Sequence, residues 1–148
     1  MVTLSSHTAA PLQVRLMALV RALGLLDADH TPCGQPLSPS AAHALAELSG
    51  GTPLTQTELG SRLRLEKSTI SRLVGQLEER GWIERRRAEH DGRLVLLALT
   101  DRGSTMAARV AAAREVFFAR LCDRIPPDRR DEMADAVALL VEALHERP

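Results

Sequence analysis

The chain has 148 residues, 45% hydrophobic and 26% charged, which suits a globular unit with helical arms and excludes a disordered tail or collagen-like polymer. Lysine plus arginine and aspartate plus glutamate balance at 19 each, so bulk positive charge of the kind seen in chromosome-coating proteins is absent, and any basic surface must come from local placement. Aromatics make up 2% and tyrosine is missing, which leaves Leu, Val and Ala to build a core of helix packed on helix.

Residues 1–10 are small and polar and are expected to fray. From Pro11 to Leu26, Leu12, Leu16, Leu19, Val20, Leu23 and Leu26 recur at helical spacing, which predicts a long amphipathic helix. The turn-rich run Asp27–Leu37 ends it. Ser38 reads as an N-cap with Pro39 at the first helical position, and the helix it opens runs to about Leu48 before Ser49-Gly50-Gly51.

Thr55-Gln56-Thr57-Glu58 is a capping box, and Leu54 and Leu59 fall at the two positions of a hydrophobic staple. Both signals start one short helix, ending near Leu63. After the turn Arg64-Leu65-Glu66, a second helix is predicted over Lys67–Arg80, with Ile70, Leu73, Val74 and Leu77 inward and Gly81 as its terminator. Trp82–Arg85 reads as a strand, 86–92 as a polar loop, and Arg93–Leu99 as the return strand with Val95, Leu97 and Leu99 on one face. A helix from Thr100 or Asp101 to about Arg124 follows, broken by Ile125-Pro126-Pro127, and a last helix spans Asp128–His145. Cys122 reads as a small core residue on the first of these two.

Two short helices, a basic hairpin and the start of a third helix form a winged helix-turn-helix, whose second helix enters a DNA major groove. Its polar face carries Lys67, Ser68, Thr69, Ser71, Arg72 and Gln76, residue types that hydrogen-bond base edges or phosphates; Arg64 lies in the turn before it. Arg85, Arg86, Arg87 and Arg93 flank the hairpin tip, where a guanidinium can enter a narrow, electronegative minor groove.

The segment LTQTELGSRLRLEKSTISRLVGQLEERGWIERR, followed by Asp91-Gly92-Arg93 and Leu99-Thr100-Asp101-Arg102-Gly103, resembles the MarR family of bacterial regulators. The resemblance implies a mainly α fold with a small β-hairpin wing. It implies residues 1–37 as a dimerisation helix and connection, 38–100 as the DNA-binding lobe, and 101–148 as C-terminal dimerisation helices. It further implies a homodimer on a pseudopalindromic double-stranded operator, with Arg93 as the wing arginine held by Asp91. It departs from the family pattern at Glu66, where a capping residue such as Ser is usual. The function expected is a transcriptional regulator, a repressor released by a small-molecule effector, an oxidant or a metal. A winged helix that binds protein rather than DNA is the alternative, and no enzyme motif is present.

The signal is less legible. His30, Cys33 and His43 could supply three ligands to zinc or another soft metal. Cys33 could instead act as a redox thiol activated by His30, or Thr31-Pro32-Cys33-Gly34 could be a plain tight turn. Lys67 as the sole lysine points to a GC-rich bacterial genome. No apolar run reaches a membrane span, and the N-terminus lacks the pattern of a secretory signal, so a cytoplasmic location is expected.

Overall fold

The computed structural model describes residues 6–145, with side chains from Ala9 onward; the first half of the segment expected to fray lies outside the described residues. In order come α1 (Ser6–Ala22), α2 (Pro39–Leu48), α3 (Gln56–Leu63), α4 (Lys67–Glu79), β1 (Ile83–Arg87), β2 (Val95–Leu99), α5 (Asp101–Asp123) and α6 (Arg130–His145). The chain divides into two compact units, residues 1–113 and 114–148.

In the first unit, α1 begins five residues before the predicted start, with Pro11 inside it. A proline this near a helix start removes few backbone bonds, so it does not force the boundary. The helix also stops sooner than predicted. Leu25 N–H donates to Val20 O and Gly24 N–H to Arg21 O, a Schellman closure that turns the chain before Asp27.

The core lies among α2, α3, α4, the hairpin and the first turns of α5. Leu45, Leu59, Val74, Leu77 and Leu97 are all at most 1% exposed. Burying each such side chain contributes about 1.5–3 kcal/mol. Ser38 caps α2 by accepting from Ala41 N–H, as its sequence predicts. Thr55 and Glu58 form the reciprocal capping box, at 3.1 Å from Glu58 N–H and 2.7 Å from Thr55 N–H. Leu54 and Leu59 are both buried beside it, and Leu54 also exchanges two backbone hydrogen bonds with Leu97, adding a short third rung to the hairpin.

α3 ends unusually. Leu65 N–H reaches Gly60 O and Arg64 N–H reaches Ser61 O, the bonds of a Schellman motif, yet the left-handed position at φ 54° is held by Arg64. A residue with a Cβ there costs roughly 1 kcal/mol relative to glycine. α4 closes in the same way with a glycine, Gly81, at φ 69°. Trp82, expected in the strand, instead completes that closure by donating to Leu77 O, and the strand starts one residue later.

The two strands are antiparallel, pairing Ile83 with Leu99, Arg85 with Leu97 and Arg87 with Val95. β1 therefore runs on through Arg86 and Arg87, which the sequence reading placed in a loop. Ile83 and Leu97 anchor the hairpin's base, while Val95 is 40% exposed because the outer half leaves the core. Thr100 locks the hairpin to α5: its N–H donates to Trp82 O, its hydroxyl to Gly81 O at 2.6 Å, and the same hydroxyl accepts from Gly103 N–H. Gly103 lies so close to Trp82 that a Cβ would fall 1.8 Å from the Trp82 carbonyl oxygen.

In the second unit, a short 3-10 turn at Pro127–Arg129 precedes α6. α6 has no buried residue, and Val137, Leu139, Val141 and Leu144 are between 47% and 66% exposed. Cys122 is exposed too, not the core residue its sequence context suggested, because no described element of the single chain covers that face.

Candidate nucleic-acid interface

The helical period of α4 separates two faces cleanly. Ile70, Leu73, Val74 and Leu77 are buried, whereas Lys67, Ser68, Thr69, Ser71, Arg72 and Gln76 are all exposed. All six residues expected to meet DNA on this helix therefore lie on its solvent side. Glu66 occupies the N-cap position with extended backbone and makes no side-chain cap, as its poor capping chemistry predicts.

The hairpin tip is organised by Asp91. Its carboxylate accepts from Arg93 N–H at 3.0 Å, and its carbonyl accepts from Leu94 N–H at 3.0 Å. Asp91 thus sets the backbone at Arg93; no ion pair between the two side chains is present. Arg87 donates to Gly92 O across the tip at 3.1 Å. Arg86, Arg87, Asp91 and Arg93 are all exposed.

Not every arginine near the site is available. Arg85 pairs with Glu78 on α4 and also donates to Gln56 on α3, so one guanidinium ties the wing to both helices of the motif. Arg86 pairs with Glu84 and Arg62 with Glu47. Arg80 stacks on Trp82, 4.8 Å from the ring centroid. Lys67, Arg72, Arg87 and Arg93 take part in no ion pair among the described residues. The brace through Gln56, Glu78 and Arg85 was not foreseen, since no local sequence pattern links residues on three different elements.

The proposed metal ligands are not assembled. Among the described residues no three His, Cys, Asp or Glu side chains could hold an ion together, so His30, Cys33 and His43 do not form a prepared site. The local chemistry says why. His30 Nδ1 lies 3.3 Å from Asp27 Oδ2, the Cys33 thiol lies 3.0 Å from Thr31 Oγ1, and His43 is exposed on α2. Neither contact joins His30 to Cys33. The Asp29 backbone N–H, donating to Asp27, is the main cause holding the Asp27 carboxyl below its ordinary range, with His30 adding to it. Thr31 N–H and hydroxyl both bind Gln35, and Gly34 N–H returns to Thr31 O, so this segment is a tight turn.

Residues 35–94 match the MarR family. An HTH-type transcriptional regulator of Mycobacterium leprae is 25% identical over 143 residues, spanning 97% of this chain and 96% of its own. The transcriptional repressor MdtR of Bacillus subtilis is 27% identical over 109 residues, 74% of this chain and 70% of its own. A solved MarR-family structure from Bacillus stearothermophilus superposes with a TM-score of 0.75 at 22% identity, covering 97% of this chain and all of the other. No helix among the described residues is long and apolar enough to cross a membrane.

Proposed function

The winged helix-turn-helix lobe is that of the MarR family of DNA-binding transcriptional regulators, and from that premise we propose that the chain acts as a homodimeric repressor. The carrying observation is α4, whose polar residues all face solvent while its apolar residues anchor the lobe. Ser68, Thr69, Ser71, Arg72 and Gln76 face the major groove, with Lys67 at the DNA backbone beside them; Arg93 enters the minor groove, with Arg86 and Arg87 beside it. Asp91 presents Arg93 by shaping the tip.

The dimer follows from the apolar surface a single chain leaves in water. Besides α6, Val14, Met17 and Leu19 on α1 are 48–66% exposed, more than a monomer normally tolerates in series. A second copy with the same faces is the partner that closes them. Two-fold symmetry then requires half-sites about one helical turn apart. MdtR is named a repressor, and occupation of a promoter is the mode we assign here.

Release by a small ligand is supported by a groove of about 720 Å³ whose walls include His30, Ser38, Thr69, Arg72, Gln76 and Arg80. A molecule seated there would cover three of the base-reading side chains, Thr69, Arg72 and Gln76.

The test is a gel shift on the gene's own upstream region, with the protein's mass in solution measured in parallel. A shifted band with two copies per duplex is expected, with cold operator competing better than unrelated DNA. No shift at any concentration would leave the winged helix as a protein-binding module.

A further inference from the structure

A groove of about 670 Å³ lies between α3 and α4, lined by Gln56, Thr57 and Ser61 on one side and Arg64, Glu66 and Lys67 on the other, over Gly60 and Ile70. The floor is close-packed, since a Cβ at Gly60 would already stand 3.3 Å from Ile70. The approach of α3 to α4 at the groove's floor is therefore set by packing.

Resting on the reading of this chain as a DNA-binding regulator, we infer that this groove is a seat for one backbone phosphate of the duplex, with Arg64 as its principal cation. The lining chemistry fits a phosphodiester, a tetrahedral monoanion that accepts hydrogen bonds and donates none. Arg64 and Lys67 supply charge, and the hydroxyls of Thr57 and Ser61 supply donors. Gln56 Oε1 already accepts from Arg85, which leaves its amide N–H groups for the anion. Glu66 is the single acid in the lining and has no cap bond to hold it, so it repels the anion toward Arg64.

Arg64 is also where the backbone is strained. It holds a left-handed φ of 54° at a helix terminus that glycine would occupy without cost. A side chain kept at that position points to a use for the side chain. The first helix of such a motif crosses the DNA backbone while the second reads bases, which brings this groove against phosphates when α4 is engaged.

The seat makes Arg64 a source of affinity without sequence information. The test uses the full chain, an operator duplex and an unrelated duplex, titrated across salt concentrations. Arg64→Gly relieves the left-handed strain at the end of α3, and its melting temperature is measured alongside to show that it folds. It should bind both duplexes about tenfold or more weakly. The slope of log affinity against log salt should fall by about two units for a dimer, one per lobe. Arg64→Lys should retain the slope. Replacing operator phosphates one at a time by methylphosphonate should find a position that weakens the unmodified chain and leaves Arg64→Gly unaffected. An unmodified chain that binds DNA while Arg64→Gly changes neither affinity nor slope overturns the seat alone. A loss confined to the operator overturns it too, because that is base reading. An unmodified chain that binds neither duplex overturns the regulator reading and the seat together.

Discussion

Replacing Gly103 by alanine tests how the wing is fastened to the helix that follows it. Helix propensity alone argues for a gain, because alanine in a helix interior is favoured over glycine by about 0.5–1 kcal/mol. The packing argues for a larger loss. The new Cβ would sit 1.8 Å from Trp82 O, 2.7 Å from its carbonyl carbon and 3.1 Å from its Cα, while real contacts stay above 3.0 Å. The obstacle is backbone, so no side-chain rotation relieves it. Trp82 cannot retreat freely either, since its N–H is committed to Leu77 O and its carbonyl to Thr100 N–H. Opening the gap by more than an ångström strains or breaks the Thr100 bonds to Trp82 O and Gly81 O.

Overpacking of this kind costs about 1–3 kcal/mol, and each strained hydrogen bond adds about 1 kcal/mol. After the propensity gain, a net loss of about 2–4 kcal/mol remains, worth roughly 5–15 °C in melting temperature for a chain of this length. Chemical denaturation at fixed protein concentration measures it. Gly75 supplies the control: it lies inside α4, and a Cβ there meets nothing within 4 Å, so Gly75→Ala should stabilise by about 0.5–1 kcal/mol. The two alanines must move stability in opposite directions. A Gly103→Ala protein as stable as the parent would refute the close approach of α5 to Trp82.

Other consequences can be measured on the same protein. Arg93→Ala should weaken operator binding by about tenfold at any base composition except in narrow A·T-rich tracts, where the loss is greater; Arg72→Ala should instead relax preference at one base pair per half-site, a cost of about 1–3 kcal/mol there, seen by selection from a randomised operator. Glu66→Ser should stabilise by about 0.5 kcal/mol, because a hydroxyl cap contributes about 1 kcal/mol and the lost attraction of the acid to the helix N-terminus offsets part of it. Glu58 has its carboxyl held below its ordinary value, chiefly by the Thr55 backbone N–H and then by the Thr55 hydroxyl. Its contribution is therefore complete at neutral pH and disappears as pH falls through the lowered value, so an acid titration of Glu58→Gln should be flatter than the parent's over that range.

The amino-acid sequence carries most plainly what near neighbours decide. The Thr55–Glu58 box, the Ser38 cap, the Gly81 terminator and the four inward residues of α4 are all contacts within one helical turn or one face, and each stands where its spacing put it. The errors arose where distant elements decide. The strand extends to Arg87 because β2 pairs with it, and Trp82 leaves the strand because the closure of α4 claims its N–H. The apolar stripe around Cys122 suggests burial, yet the described residues of a single chain leave it exposed. His30 and Cys33 looked like ligands because their spacing is right, but Asp27 and Thr31 hold them in separate local contacts.

Zero net charge and DNA binding are reconciled by where the acids sit. Glu47, Glu78 and Glu84 each neutralise one arginine of the lobe; the first two pairs fasten α2 to α3 and α4 to β1, and the third lies within β1. If Arg62, Arg85 and Arg86 stay paired on DNA, they release no counterions. On the proposed reading, Arg72 and Arg93 go to bases and the minor groove. With Arg64 and Lys67 at the proposed phosphate seat and Arg87 at the wing, each lobe makes three phosphate contacts, about six across a dimer, and the expected slope of log affinity against log salt is about −5. Were the three paired arginines to let go of their glutamates and reach phosphates as well, the contacts would double and the slope would approach about −11. Glu78→Gln separates the cases further. If the pair is a brace, this change loosens the wing and lowers affinity while leaving the slope near −5; if Glu78 merely competes with DNA for Arg85, affinity rises and the slope steepens. A steep slope in the unmodified protein, together with tighter binding by Glu78→Gln, would refute the division of this lobe's arginines into those that hold the fold and those that hold DNA.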